Sequence, residues 1–175
     1  CLALMEILNF QGPVSAAVDW SARALAPEGL DPDLRARVMS VRGIALRLAG
    51  QLEESERVTR EMLEMTRRER LRGQESVAIG SLGVIALELD QREEASQYLE
   101  EAMAIAEELG DERNQARWLS NMSVLYRRAG KIDEAMGCYD RALVLCRKLG
   151  LRQNEGFLLS ELGNLDRQLG RLDNA

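Results

Sequence analysis

The sequence predicts an all-α fold of stacked helix pairs, and three observations lead there. Slid against itself, the 175-residue chain keeps phase at a spacing of forty residues. Within each forty-residue unit, apolar residues recur at steps of three and four, the spacing of one face of a helix. Aromatic residues make up only 4% while Ala, Leu, Glu and Arg abound, a composition that favours helices.

The repeat holds at several phases at once. Gly50, Asp90, Gly130 and Gly170 share one, and Gly43, Gly83, Ser123 and Gly163 another. Met39, Ile79, Leu119 and Leu159 form a third, and Ser55, Ala95, Ala135 and Ala175 a fourth. Met62, Ala102 and Ala142 fall in register, as do Gly110 and Gly150. Small, turn-forming and large apolar residues seldom stay in phase together by chance. The units run approximately over residues 1–30 (irregular), 31–72, 73–111, 112–151 and 152–175 (truncated) of one array.

Taken in order, Cys1 to Phe10 reads as the tail of a helix, Gly12-Pro13 as a turn, and Val14 to Leu25 as a short second helix. The connector Ala26-Pro27-Glu28-Gly29 leads to Asp31-Pro32, where Asp31 suits the cap and Pro32 the first turn of the next helix. Gln74 to Leu89 carries Val77, Ile79, Leu82, Val84, Ile85 and Leu89; Asp90-Gln91-Arg92 turns the chain; and Glu93 to Leu109 follows. The next pair is Glu112 to Ala129 and Asp133 to Leu149 around Gly130-Lys131. Gly130 and Gly170 suit the left-handed residue past a helix end, and Asp90 can fill that role less comfortably. Glu93, Glu94, Asp133 and Glu134 sit where the helix dipole favours negative charge. Gly83 and Gly163 each cost a helix interior about 1 kcal/mol relative to Ala, which signals close helix approach. Leu172 to Ala175 begins a further second helix, leaving one helix face without its partner; we expect a piece of a larger cytoplasmic protein.

Charge and composition exclude several functions. Lys plus Arg number 23 against 29 Asp plus Glu, a net −6 that argues against nonspecific nucleic-acid binding. With no His there is no Ser-His or Cys-His catalysis and no imidazole metal ligand. No apolar run exceeds five residues, too short to span a membrane. Cys138 and Cys146, eight apart on one helix, lie too far from each other for a disulfide and read as small buried hydrophobes. No phosphate loop, nucleophile elbow or zinc signature occurs, and no cofactor is expected. Glu107, Glu108, Asp111 and Glu112 read as helix-end acids rather than a metal site. The cluster Arg67, Arg68, Arg70 and Arg72, interleaved with Glu64, Glu69 and Glu75, reads as a salt-bridged helix end. Trp20 and Trp118 read as packing residues.

The pairs resemble the tetratricopeptide repeat in its forty-residue form. The family's large residue, Leu-Gly, aromatic, then Ala, large residue and Ala appear as Ile79, Leu82-Gly83, Ala86, Ala95, Leu99 and Ala102. They recur as Leu119, Met122-Ser123, Tyr126, Ala135, Tyr139 and Ala142. A further copy has Leu159, Leu162-Gly163 and Ala175, with Asp166 departing at the aromatic position. The earlier copy is weaker, with Arg42 in place of Leu and Thr59 in place of a large residue. The resemblance implies a right-handed superhelical solenoid of antiparallel helix pairs, noncatalytic, with a concave groove that recognises a protein or peptide segment.

Carried onto this chain, the family's groove positions include Arg37, Arg47, Gly80, Ser81, Leu87, Glu88, Arg117, Asn121, Arg127, Arg128, Phe157, Glu161, Asn164 and Arg167. Helical spacing independently sets Asn114, Arg117, Asn121, Val124 and Arg128 on one stripe. The candidate binding residues are therefore Arg117, Asn121, Arg128, Asn164, Arg47, Ser81, Asn114 and Phe157. Six Arg (37, 47, 117, 127, 128, 167) face two Glu (88, 161) in this set, a net +4 that would draw in an acidic segment or a C-terminal carboxylate. Against this stands the ordinary solvated helix face, its Arg neutralised by nearby acids such as Glu112 or Asp133. Two other functions fit the fold: a sensor of a small molecule or signalling peptide controlling an attached effector, and self-association, as a homodimer, through the repeat ends.

Overall fold

The computed structural model describes residues 14–27 and 29–168. Expectations for Cys1–Phe10, Gly12-Pro13, Gly170 and Leu172–Ala175 lie outside the described residues. Every described regular element is a helix: α1 (Val14–Leu25), α2 (Pro32–Leu48), α3 (Leu52–Arg68), α4 (Arg72–Glu88), α5 (Arg92–Glu108), α6 (Glu112–Arg128), α7 (Ile132–Lys148) and α8 (Arg152–Gln168). The expected boundaries hold to within two residues. From α2 onward each helix has 17 residues and each turn three, so the forty-residue period is two equal half-periods.

The turns share one chemistry. After α2, the Gly50 N–H donates to Arg47 O (3.0 Å) and the Gln51 N–H to Leu46 O (2.9 Å), the paired bonds of a Schellman end. The same pair closes α3 through Arg70 and Leu71, α5 through Gly110 and Asp111, α6 through Gly130 and Lys131, and α7 through Gly150 and Leu151. This geometry needs a left-handed residue, and Gly50, Gly110, Gly130 and Gly150 supply it at no steric cost. Asp90 takes it as expected, with φ +57°; Arg70 takes it too, with φ +57°, unforeseen because Arg has no preference for that region. Helix starts follow the sequence: Asp31 Oδ1 accepts from the Leu34 N–H (3.1 Å) ahead of Pro32, and Asp111 Oδ1 accepts from the Asn114 N–H (3.0 Å).

The described residues divide into two compact units, one up to Ile105 and one from Ala106. In the first, α1 packs on α2, α2 on α3 and α4, and α3 on α4. Ala36, Met39, Leu46, Val58, Met62, Met65 and Ala78 form its core. Gly83 is the close approach its position predicts: a Cβ there would sit 3.0 Å from Leu99 Cγ and 3.2 Å from Tyr98 Cβ. The irregular copy compensates for its departures. Buried Thr59 lies against Gly43, and the Arg42 guanidinium donates to Val18 O (3.1 Å) and pairs with Glu54 (3.8 Å). Trp20, expected to pack, is instead 56% exposed on α1, with the Arg23 guanidinium 6.0 Å from its ring.

In the second unit α6 packs on α7 and α7 on α8, burying Trp118, Leu119, Tyr139, Leu158 and Leu165. Each such side chain contributes about 1.5–3 kcal/mol by leaving water. Cys138 and Cys146 are buried as expected, and burial pushes both thiols up, so they remain protonated and inert. Among the described residues nothing lies within 4 Å of a Cβ placed at Gly163.

A candidate peptide-binding surface

The exposed polar side of each first helix is a stripe with period 3.6, and most of its cations are already engaged. In the first unit Arg47, half-buried at the end of α2, donates to the Glu88 carboxylate at the end of α4. Arg37 lies 4.0 Å from Asp33. Ser81 Oγ donates to Val77 O (2.7 Å), a bond inside its own helix. Two positions expected in the groove, Gly80 and Leu87, are buried in the packing of α4 instead. The Arg67–Arg72 stretch is salt-bridged as expected: Glu75 takes Arg67 (3.1 Å) and Arg72 (2.9 Å), and Arg67 also reaches Glu101 (3.3 Å).

In the second unit α6 brings Asn114, Arg117, Asn121, Arg127 and Arg128, and α8 brings Phe157, Glu161, Asn164 and Arg167. Asn114 works as part of a cap, its Nδ2 donating to Asp111 Oδ2 (2.7 Å). Asn121 Nδ2 donates to Arg117 O (3.0 Å), which leaves its carbonyl oxygen directed away from that bond. The Arg117 guanidinium lies 4.8 Å from the centroid of the buried Trp118 ring. Arg128 and Phe157 are exposed, Phe157 at 52%. Arg127 pairs with Glu161 at 3.2 Å and not with Asp133, and Glu112, expected near Arg117, pairs with Lys148.

Four of these side chains form a recess. Arg127, Glu161, Asn164 and Arg167 line an open hollow of about 420 Å³ within the second unit. Arg167 Nη2 donates to Asn164 Oδ1 (2.8 Å), and Arg127 Nη2 holds Glu161. Arg127 Nε is buried and, among the described residues, has no hydrogen-bond partner. A buried N–H of a cation left unpaired costs about 1–3 kcal/mol, so an acceptor arriving there is favoured by at least part of that amount. Reasoning from sequence put all four among the groove positions but singled out only Asn164 of them as a candidate binding residue. The signal was present: both Glu of the groove set stand roughly one repeat after an Arg, Glu88 after Arg47 and Glu161 after Arg127. Counting them as a net charge concealed that they are pairs.

Among the described residues no group of three or more acids or cysteines is placed to hold a metal, and no helix is long and apolar enough to cross a membrane. Repeated hairpins of equal helices with a polar stripe define the helical-repeat class of proteins. Residues 74–148 match the model of the tetratricopeptide repeat family. The crystal structure of BtubC (BKLC) from P. vanneervenii is similar in fold, with a TM-score of 0.69 at 20% identity over 89% of this chain. That match spans 63% of the BtubC chain, and at this identity the likeness is one of fold alone. No curated protein matches the sequence. Tetratricopeptide repeats generally mediate protein–protein interaction and generally form noncatalytic scaffolds.

Proposed function

We propose that this chain is a noncatalytic peptide-binding domain of a larger cytoplasmic regulatory or adaptor protein. Its ligand is a segment that presents a carboxylate, from an acidic side chain or a C-terminus, to the recess of the second unit. The observation that carries this reading is the unpartnered, buried Nε of Arg127, whose side chain lines a hollow together with Arg167 and Asn164. A carboxylate at that point accepts from Nε and from the Arg167 fork, charge-assisted bonds each worth about 1.5–3 kcal/mol. Asn121 and Asn164 offer amide groups that both donate and accept, as a peptide main chain requires. Glu161 excludes indiscriminate anions, because only a ligand whose acceptor reaches Nε gains without displacing the existing pair. The hollow is polar and open, which suits an extended segment better than an enclosed small molecule. Arg117, Arg128 and Phe157 extend the same helices' contribution as flanking contacts, while Arg47 and Ser81 belong to the stripe of the first unit.

The test is titration of fluorescently labelled peptides, identical except for a free or an amidated C-terminus and for acidic or neutral side chains. Binding is expected to favour the carboxylate peptides, to weaken as salt rises, and to fall at least tenfold in Arg127→Ala and Arg167→Ala. Equal affinity for amidated neutral peptides, or variants that bind like the parent, would remove the recess from the account.

A further inference from the structure

One residue of the recess is not called for by the repeat. At the phase of Glu161 the earlier units carry Val41, Ser81 and Asn121, so the helix packing has no need of a charge there. At the phase shared by Arg127 and Arg167 they carry Arg47 and Leu87. Two cations of one phase therefore meet an anion that belongs to this unit alone.

Arg127, Arg167 and Asn164 by themselves make a cradle for a phosphoryl group, because Arg forks match phosphate as well as carboxylate. Glu161 changes that chemistry. Its side chain is 20% exposed, and its Oε2 lies 3.2 Å from Arg127 Nη2. It takes one branch of the Arg127 fork and leaves Nε as the buried donor without a partner among the described residues. An anion that bonds to Nε shares one guanidinium with Glu161, within the roughly 4–6 Å at which like charges oppose each other.

Two cations against one anion leave the lining of the recess with a net charge of +1. A single carboxylate neutralises it, accepting from Arg127 Nε with one oxygen and from Arg167 with the other. A phosphate monoester carries about −1.5 to −2 at neutral pH and brings a third acceptor oxygen. That oxygen meets the Glu161 carboxylate, acceptor against acceptor, since an ionised Glu has no proton to donate. The surplus charge is left unpaired in a partly buried place, where an uncompensated ion is costly.

We propose that Glu161 is the specificity-determining residue of the recess, admitting a singly charged carboxylate and rejecting a phosphorylated segment. The inference rests on the carboxylate-binding reading of the recess given above. It assigns to Glu161 the choice between two anions that the arginines alone accept equally well.

The probes are two fluorescein-labelled peptides with amidated C-termini and a single acidic position, identical except that this position is Glu in one and phosphoserine in the other. Anisotropy titrations into the full chain at neutral pH are expected to favour the Glu peptide at least tenfold. Glu161→Gln, an amide like the in-phase Asn121, is expected to reverse the order, with the phosphoserine peptide binding tighter. A melting temperature within a few degrees of the parent shows that this variant is folded. If Glu161 serves only to hold Arg127 in place, Glu161→Gln weakens both peptides in the same proportion, and the proposal is overturned. Binding of the Glu peptide that is lost in Arg127→Ala but shows no preference over phosphoserine overturns it too, while leaving the carboxylate reading intact. Absence of saturable binding by the Glu peptide overturns both this inference and the acidic-side-chain form of that reading.

Discussion

Glu75 sits at the start of α4 with its side chain 11% exposed, between Arg67 and Arg72. Burial opposes its ionisation, but hydrogen bonds from Arg72 and Arg67 outweigh it and hold the carboxyl below its ordinary value. A folded-state value below the unfolded one makes the carboxylate stabilising above the unfolded pKa, and that contribution disappears as pH falls through the folded one. Glu75→Gln is therefore expected to lower the melting temperature by several degrees at pH 7, with the gap to the parent closing below about pH 4. A gap that stays constant from pH 7 to pH 3 would show that the ion pairs carry none of the difference. The glycines give a second contrast. Gly83→Ala forces a methyl against Leu99 and Tyr98 and is expected to destabilise by about 1 kcal/mol net, overpacking outweighing the gain in helix propensity. Gly163→Ala meets open space and is expected to stabilise by about 0.5–1 kcal/mol. Thermal melts of the two variants shifting in the same direction would contradict this reading. Sequence phase alone treats these glycines as equivalent; among the described residues, the side chains packed against Gly83 separate them.

At the scale of the elements, six turns at twenty-residue intervals each require one left-handed residue, and four use Gly. Arg70 and Asp90 pay steric strain that Gly avoids, about 1–2 kcal/mol for an ordinary side chain. Asp tolerates that region better than Arg. Arg70→Gly is expected to raise the melting temperature, and by more than Asp90→Gly; a neutral or negative shift for Arg70→Gly would mean that the turn draws its stability from the Arg side chain. Most of the element structure was legible because caps and turns are local: Asp31-Pro32, Gly130 and Gly150 announce themselves without tertiary context. Arg70 was not legible, since it occupies a turn imposed by the helices on either side and not by its own preference. The weak copy around Arg42 and Thr59 was visible as a departure, yet how it is made good depends on Val18 O and Gly43, which only packing brings near.

On the scale of the molecule, a chain of net −6 sets its groove cations largely in pairs: Arg47 with Glu88, and Arg127 with Glu161. The candidate surface is thus less basic than the residue count of its stripe implies. In the proposed function its selectivity would rest on one unpaired donor and its neighbours, where the sequence suggested a broad positive field. The family and the helix pairs were readable from the forty-residue phase. The recess was not, because Arg127 lies 34 to 40 residues from Glu161, Asn164 and Arg167, and its pairing with Glu161 is lost when the stripe is read only as a sum of charges. Long-range steering is expected to be weak as a result. Raising salt from 50 to 500 mM should slow peptide association little and should reduce affinity by less than a broad cationic groove would show, since partly buried pairs are poorly screened.

The most direct measurement is a nuclear magnetic resonance titration of the arginine side-chain Nε–H signals with a short acidic peptide ending in a free carboxylate. The account predicts that the Arg127 Nε–H moves most and saturates, accompanied by Arg167 and the Asn164 amide, with Arg47 unmoved. Saturation with Arg127 silent, or shifts scattered over the exposed arginines of both units, would contradict it.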